Sequence, residues 1–415
     1  MSSSFTYQCI DCGKQFPGNG IVYVCDTCSR KQQSGQPPLG ILKVNYKVDL
    51  LKGISFKTLQ ENRFLDILPI EKLSSLPFLK VGDTPMYAIE KPEGSEIRHS
   101  LYLKDDSQNP TFSFKDRASA IVSAFAKENN IETIVAASTG NAGSSLAGMC
   151  AAQGQKAVIF VPATAPKAKL TQILMYGAVL VPVDGNYDKA FDLSIEASKR
   201  FGWYNRNTAY NPLTIEGKKT VSFEIFSQLH QEMPDRVFVP VGDGVIISGV
   251  YKGFEDLMNL GIINRMPIIV AVQAEGSSNL IANLGKPEFA ARPSSTIADS
   301  ISVDIPRNFR MAADYLRNYQ GETVIVSDQA ILEASAILAK NTGIFTEPAA
   351  AAAYAGYRSL FKYSLIPDGS HNVVLLTGSG LKDLNAVQPM LKIPEAVKPA
   401  MDAVEAYLDG KNKNI

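Results

Sequence analysis

An α/β protein of two parallel-sheet domains, preceded by a small cysteine-rich module, is the fold class that three features of this 415-residue sequence predict. Short runs rich in β-branched residues alternate with segments of helical length, the pattern of parallel strands joined by crossover helices. Three of these runs end in glycine-rich loops, and ligand loops at strand C-termini put a pocket in the cleft between two sheets. Four of the five cysteines fall within the first thirty residues, in two Cys-x-x-Cys pairs.

Taken in order, Cys9, Cys12, Cys25 and Cys28 leave twelve residues between the pairs. That spacing sets four thiolates around one zinc, as a ribbon over residues 1–34. Two disulfides are the alternative, disfavoured in a reducing compartment. Lys14, Phe16, Tyr23 and Arg30 are too few basic and aromatic groups for a nucleic-acid surface, so the module reads as a structural staple. Residues 31–38 are polar and proline-bounded, as a linker is. The stretch to Leu79 carries no assignable chemistry.

Ser113 stands three residues before Asp116, a capping-box-like spacing that sets Lys115 in the first turn of a helix running to about Glu128. The positive end of the helix dipole disfavours an ammonium there. A lysine that spends time as the free amine condenses with an aldehyde to a Schiff base; the plain alternative is a solvated surface lysine. Phe114 reads as core, Asp116 and Arg117 as first-turn residues paired with neighbours.

Strands are expected at Thr133 to Ala137, Ala157 to Val161, Ala178 to Val183, Arg236 to Val241, Pro267 to Gln273, Thr323 to Val326 and Asn372 to Leu376. The first runs into Ser138-Thr139-Gly140-Asn141 and a helix to about Ala152, with outward amides suited to an anion. Val237 to Val241 runs into Gly242 to Gly249 and a helix to about Leu260, and Val373 to Leu376 into Thr377-Gly378-Ser379-Gly380. One such loop is turn chemistry. Three on strand ends, with the lysine, make a cofactor pocket.

Lysine plus arginine (41) balances aspartate plus glutamate (41), leaving no net field for nucleic acid or an anionic membrane, so small metabolites are the expected partners. No apolar run reaches membrane-span length, and Met1 to Phe5 lacks the regions of a signal peptide; a cytoplasmic protein is expected.

From Gly82-Asp83-Thr84-Pro85 to Gly380-Leu381-Lys382-Asp383 the chain resembles the pyridoxal-phosphate enzymes of the tryptophan-synthase type (fold type II), and within them the threonine synthases. Ile215-Glu216-Gly217-Lys218-Lys219-Thr220 and Phe345-Thr346-Glu347-Pro348-Ala349-Ala350 also match. The resemblance implies a large domain of residues 35–116 and 214–415, a small inserted domain of 117–213, and a homodimer. It implies that Lys115 holds pyridoxal phosphate and moves protons, and that Gly242, Asp243, Gly244, Val245 and Ile246 take the cofactor phosphate. Thr377 would bond the ring nitrogen, Asn141 the ring oxygen, and Ser138, Thr139, Gly140 and Asn141 the substrate carboxylate. Asn186 falls in the segment expected to bind a substrate phosphate. Alone, Thr377 is equally a turn hydroxyl, and Asn141 and Ser138 helix caps. Glu347, just before Pro348, either faces the cofactor or begins a helix, and is read as the latter.

Three positions depart from the threonine-synthase pattern. Asp192 stands where an arginine is expected, with Lys167, Lys169, Lys189 and Arg206 as substitutes; Asp243 replaces an asparagine and Ser379 a histidine. The leading expectation is conversion of O-phospho-L-homoserine and water to L-threonine and phosphate. Alternatives are an ammonia-lyase acting on threonine, serine or diaminopropionate, a cysteate-synthase-like replacement enzyme, and a cofactor-holding regulatory protein.

Overall fold

The computed structural model describes residues 4–94 and 96–412; Met1 to Ser3, part of the signal-peptide reading, lie outside the described residues. Strands β1 (Phe5–Cys9), β2 (Gln15–Pro17) and β3 (Leu42–Tyr46) form an antiparallel sheet in the order β2-β1-β3. Its third strand comes from beyond residue 34, where Cys9 registers with Leu42 and Phe5 with Tyr46. Gly40 makes the return bend at φ +82°, where a Cβ would lie 2.7 Å from the Cys25 carbonyl oxygen, so only glycine fits.

β4 (Met86–Ala88) and β5 (Ser100–Asp105) precede the helix Lys115–Glu128. β6 (Thr133–Ala137), β7 (Lys156–Pro162), β8 (Val179–Val183) and β9 (Tyr204–Asn205) make a parallel sheet in the order β8-β7-β6-β9. β10 (Arg236–Pro240), β11 (Ile268–Ala274), β12 (Glu322–Val326) and β13 (His371–Leu376) join the earlier pair in a six-stranded sheet, β12-β11-β10-β13-β5-β4. Every predicted strand is present within a residue or two. The larger sheet is not wholly parallel, however: β4 runs antiparallel to β5. The connection over residues 89–99 is too short and turn-rich to house the crossover that a parallel neighbour requires.

The large sheet is packed on both faces. On one lies the helix Val245–Asn259, whose Val250, Phe254 and Leu257 are fully buried, each side chain contributing roughly 1.5–3 kcal/mol relative to exposure. On the other, the helix Pro348–Lys362 lays Ala349 to Ala353 against β10 to β13. A Cβ on Gly356 would lie 2.5 Å from Val272 Cγ2, so the small residues are what let this helix sit close to the sheet. Close packing also holds its first residue at the loop after β13, where the Glu347 amide donates to the Gly378 carbonyl at 3.1 Å. Among the described residues, no helix is long and apolar enough to cross a membrane.

Candidate active site

A cavity of about 820 Å³ opens between the C-terminal ends of β6 and β10, the end at which parallel sheets present their loops. Lys115, Ser138 to Asn141, and Gly242 to Ile246 all line it.

The Lys115 helix starts where the sequence places it, but not by a capping box. The Ser113 hydroxyl is buried without a partner, and Asp116 turns away to accept from the Thr111 amide (2.7 Å) and hydroxyl (2.5 Å). The start is held by tertiary pairing instead. Ser113 bridges to Gly378, and the Phe114 amide donates to the Thr377 carbonyl at 2.9 Å. One turn on, the buried Arg117 guanidinium is gripped by Asp106 (2.6 and 2.9 Å) and Glu224 (2.5 and 2.7 Å). Lys104 completes a neutral quartet by donating to Glu224 at 2.7 Å and to the Thr84 carbonyl at 2.6 Å. This explains the Gly82-Asp83-Thr84-Pro85 run: Gly82 has φ +77°, and a Cβ there would meet Glu224 Oε1 at 2.5 Å. Phe114 is buried core, as expected, and Cys150 is a buried free thiol.

So anchored, Lys115 presents its amine to the cavity, and no hydrogen bond or ion pair to that amine forms among the described residues. Burial lowers its pKa, with the charges of Glu347 and Asp243 opposing and that of Arg206 assisting. Glu347, expected to begin a helix, has a second role that the sequence did not decide. It does begin a helix, with Pro348 at the first position, but its carboxylate is buried and accepts from Asn141 Nδ2 at 2.9 and 3.1 Å. Burial raises its pKa, against the pull of Asn141 and Lys115. The available signal was an acid inside a run, Phe345 to Ala353, that is apolar but for Thr346.

The second loop is a cradle of backbone. A Cβ on Gly242 would lie 2.8 Å from the Ile301 Cα, and Gly244 adopts φ +83°. The helix that follows leaves the amides of Val245, Ile246 and Ile247 without intrahelical acceptors. Asp243 does not face this cradle with a free carboxylate: its Oδ1 accepts the Arg307 amide at 3.1 Å. Ser138 accepts the Gly140 amide at 3.2 Å and holds the first loop open.

Two predicted residues do not reach the cavity wall. Asn186 caps the helix Tyr187–Phe201 by accepting from the Lys189 amide at 3.1 Å, and Thr377 is buried beside Phe114. Nor do Lys167, Lys169 or Lys189; Lys169 is paired with Asp299 at 2.7 Å. Besides Lys115, three basic side chains line it: Arg206, Lys218 and Arg307. Arg307 is paired with Asp188 at 2.5 Å and lies 3.9 Å over the Phe191 ring. Arg206 and Lys218 are fully buried and make no ion pair among the described residues. Arg206 donates to Ser119 (3.1 Å) and Thr208 (2.9 Å), its Nη2 has no partner, and burial lowers its pKa to about 10. Lys218 donates only to the Thr214 carbonyl at 3.2 Å, and burial pushes its pKa well below the usual lysine value. Sequence pattern alone could not single out Lys218 from its neighbour Lys219, which is paired with Glu216 (2.5 Å) and Asp256 (2.7 Å).

The sequence signature of the pyridoxal-phosphate dependent enzymes matches residues 78–378. The chain belongs to this family. Its relatives include the threonine synthase of Methanocaldococcus jannaschii, 34% identical over 97% of this chain and 98% of that protein. Another is the threonine synthase of Synechocystis sp., 36% identical over 81% and 87%. Among solved structures, threonine deaminase isoform 2 of Solanum lycopersicum superposes with a TM-score of 0.65 at 23% identity, over 77% of this chain and 86% of that one. Diaminopropionate ammonia lyase from Escherichia coli gives 0.63 at 18%, over 76% and 90%. These two likenesses bear on the fold alone.

The residues present fit the family's cofactor. An unpaired lysine amine faces an aldehyde-sized space, a glycine cradle with free helix amides offers a phosphate site, and the cavity has room for cofactor and substrate together. Away from the cleft, the sulphurs of Cys9, Cys12, Cys25 and Cys28 lie within 4.8 Å of one another as free thiols, a set able to hold a metal ion.

Proposed function

We propose that this enzyme is a threonine synthase, releasing phosphate from O-phospho-L-homoserine and adding water to give L-threonine. The observation that carries the reading is the pair Arg206 and Lys218. Two buried basic groups without carboxylate partners are costly to keep charged, and a bound anion offsets that cost. The amides of Ser138 to Asn141 suit the substrate carboxylate, so the cations are left for a second, dianionic group. They take the place of the arginine that Asp192 replaces. An ammonia-lyase acting on threonine or serine has no such group to put there.

Pyridoxal phosphate supplies an electron sink for the carbanion formed at the substrate Cα. Lys115 would hold it, and the lysine amine is placed to carry protons between the substrate carbons. Gly242 to Ile246 would bind its phosphate and Asn141 its ring oxygen; Thr377, which the resemblance sets against the ring nitrogen, does not line the cavity. Glu347, bonded to Asn141, orients that amide. Arg206 and Lys218 accept the charge that accumulates on phosphate as the Cγ–O bond breaks.

The test is product analysis of the purified holoenzyme offered O-phosphohomoserine, with threonine, serine and diaminopropionate alongside. Equal amounts of phosphate and threonine are expected. Ammonia and a keto acid from an unphosphorylated substrate, without phosphate release, would overturn the reading.

We also infer that the cysteine cluster holds zinc. The 3.8 Å between Cys12 Sγ and Cys25 Sγ equals the edge of about 3.8 Å for a tetrahedron with Zn–S near 2.3 Å. A homodimer is the state that the resemblance supports, and a cytoplasmic location is the one that the sequence reading supports.

A further inference from the structure

The segment that reads as a linker is part of the cavity. Gln32 to Gln36 and Pro38 form its outer wall. The wall is ordered by Gln32, whose side chain donates to the Gln33 (2.9 Å) and Gln36 (2.8 Å) carbonyls and accepts from the Leu39 amide (2.8 Å). Gln36 pins it across to the large domain by donating to the Phe289 carbonyl at 3.1 Å.

Both ends of this wall are tied to the second cysteine pair. The Lys31 amide donates to the Cys28 carbonyl at 2.9 Å, and the Cys25 amide to the Gly40 carbonyl at 2.7 Å. The same pair reaches the cavity by another route. Tyr23, two residues before Cys25, stacks on Tyr210 at 4.7 Å and accepts the amide of Asn205, next to Arg206, at 2.8 Å. A module docked only as a staple would not contribute to the wall of the catalytic cavity.

We propose that the four-cysteine centre is a positioning element of the active site: a metal held there fixes the wall at residues 32–38 and the backbone that carries Arg206, and so sets how firmly substrate is retained. The inference takes its substrate from the function proposed above, while its proteolysis arm does not depend on that choice.

The experiment uses the cofactor-loaded full chain, stripped of metal by a chelator under reducing conditions, beside metal-replete Gln36→Ala and Tyr23→Phe variants. Stripping is expected to leave the Lys115–cofactor absorbance in place and to speed tryptic cleavage after the exposed Arg30 and Lys31 by about tenfold or more. The KM for O-phosphohomoserine should rise about five- to tenfold with kcat changed less than about twofold, and added zinc should restore it. Both variants should raise KM with metal content unchanged. Cleavage and KM unmoved by stripping would overturn the proposal. So would variants with wild-type KM, which decide the matter if the stripped enzyme unfolds. Absence of turnover in the untreated enzyme would instead refute the substrate assignment, leaving the cleavage rates to judge the wall.

Discussion

At the scale of single residues the site is organised by charges that are, or are not, compensated. Lys115→Ala should abolish the visible cofactor absorbance while leaving the far-ultraviolet circular dichroism unchanged, because the helix start is held by Phe114, Ser113 and Arg117 rather than by the lysine. Glu347→Gln keeps an acceptor for Asn141 but removes the carboxylate whose charge supports the Lys115 ammonium. Lys115 in the cofactor-free variant should therefore react with pyridoxal at a lower pH than in the wild type, a shift read from the pH profile of labelling. Lys218→Met should raise the KM for the phosphorylated substrate about ten- to a hundredfold, the loss of a charged hydrogen bond of roughly 1.5–3 kcal/mol. Wild-type kcat and KM in this variant would count against a phosphate contact.

At the scale of elements, two helices are placed by tertiary contacts that no local propensity supplies. The Lys115 helix is moored by Arg117 to Asp106 and Glu224, and removing one member leaves the others buried and unpaired. Arg117→Met should cost roughly 3–5 kcal/mol of unfolding free energy in a urea titration, more than deleting an exposed ion pair does. The helix after Glu347 depends on small side chains in the same way. Gly356→Val, with its first carbon 2.5 Å from Val272, should cost about 1–3 kcal/mol and loosen the site through Glu347.

At the scale of the whole molecule, the buried cations link stability to pH. Lys218 has a folded-state pKa depressed by burial, so the unfolded chain binds the extra proton. Stability therefore rises with pH, from the depressed value up to the unfolded value of about 10.4. Arg206, lowered only to about 10, stays charged at neutral pH. Thermal midpoints of the cofactor-free protein should climb toward about pH 10, and saturating inorganic phosphate or Lys218→Met should lessen the climb, to which Lys115, likewise depressed by burial, also contributes. The anchoring quartet should add little to this slope near neutrality, since its two cations and two carboxylates are paired with one another.

Much of this architecture was legible in the chain. Strand runs from Thr133 onward, the glycine loops at strand ends and the Lys115 position are local patterns, because side-chain periodicity and backbone freedom are properties of neighbouring residues. The cysteine spacing likewise anticipated a cluster that the fold closes to within 4.8 Å. What only the tertiary structure decided is which polar groups lack partners. Lys218 and Lys219 are adjacent and chemically identical, yet one finds Glu216 and Asp256 while the other faces the cleft; that difference arises from elements distant in sequence. Glu347 meets Asn141, and the 32–38 wall meets the cavity, for the same reason: compensation of a charge and enclosure of a space are set by packing, and packing is not local.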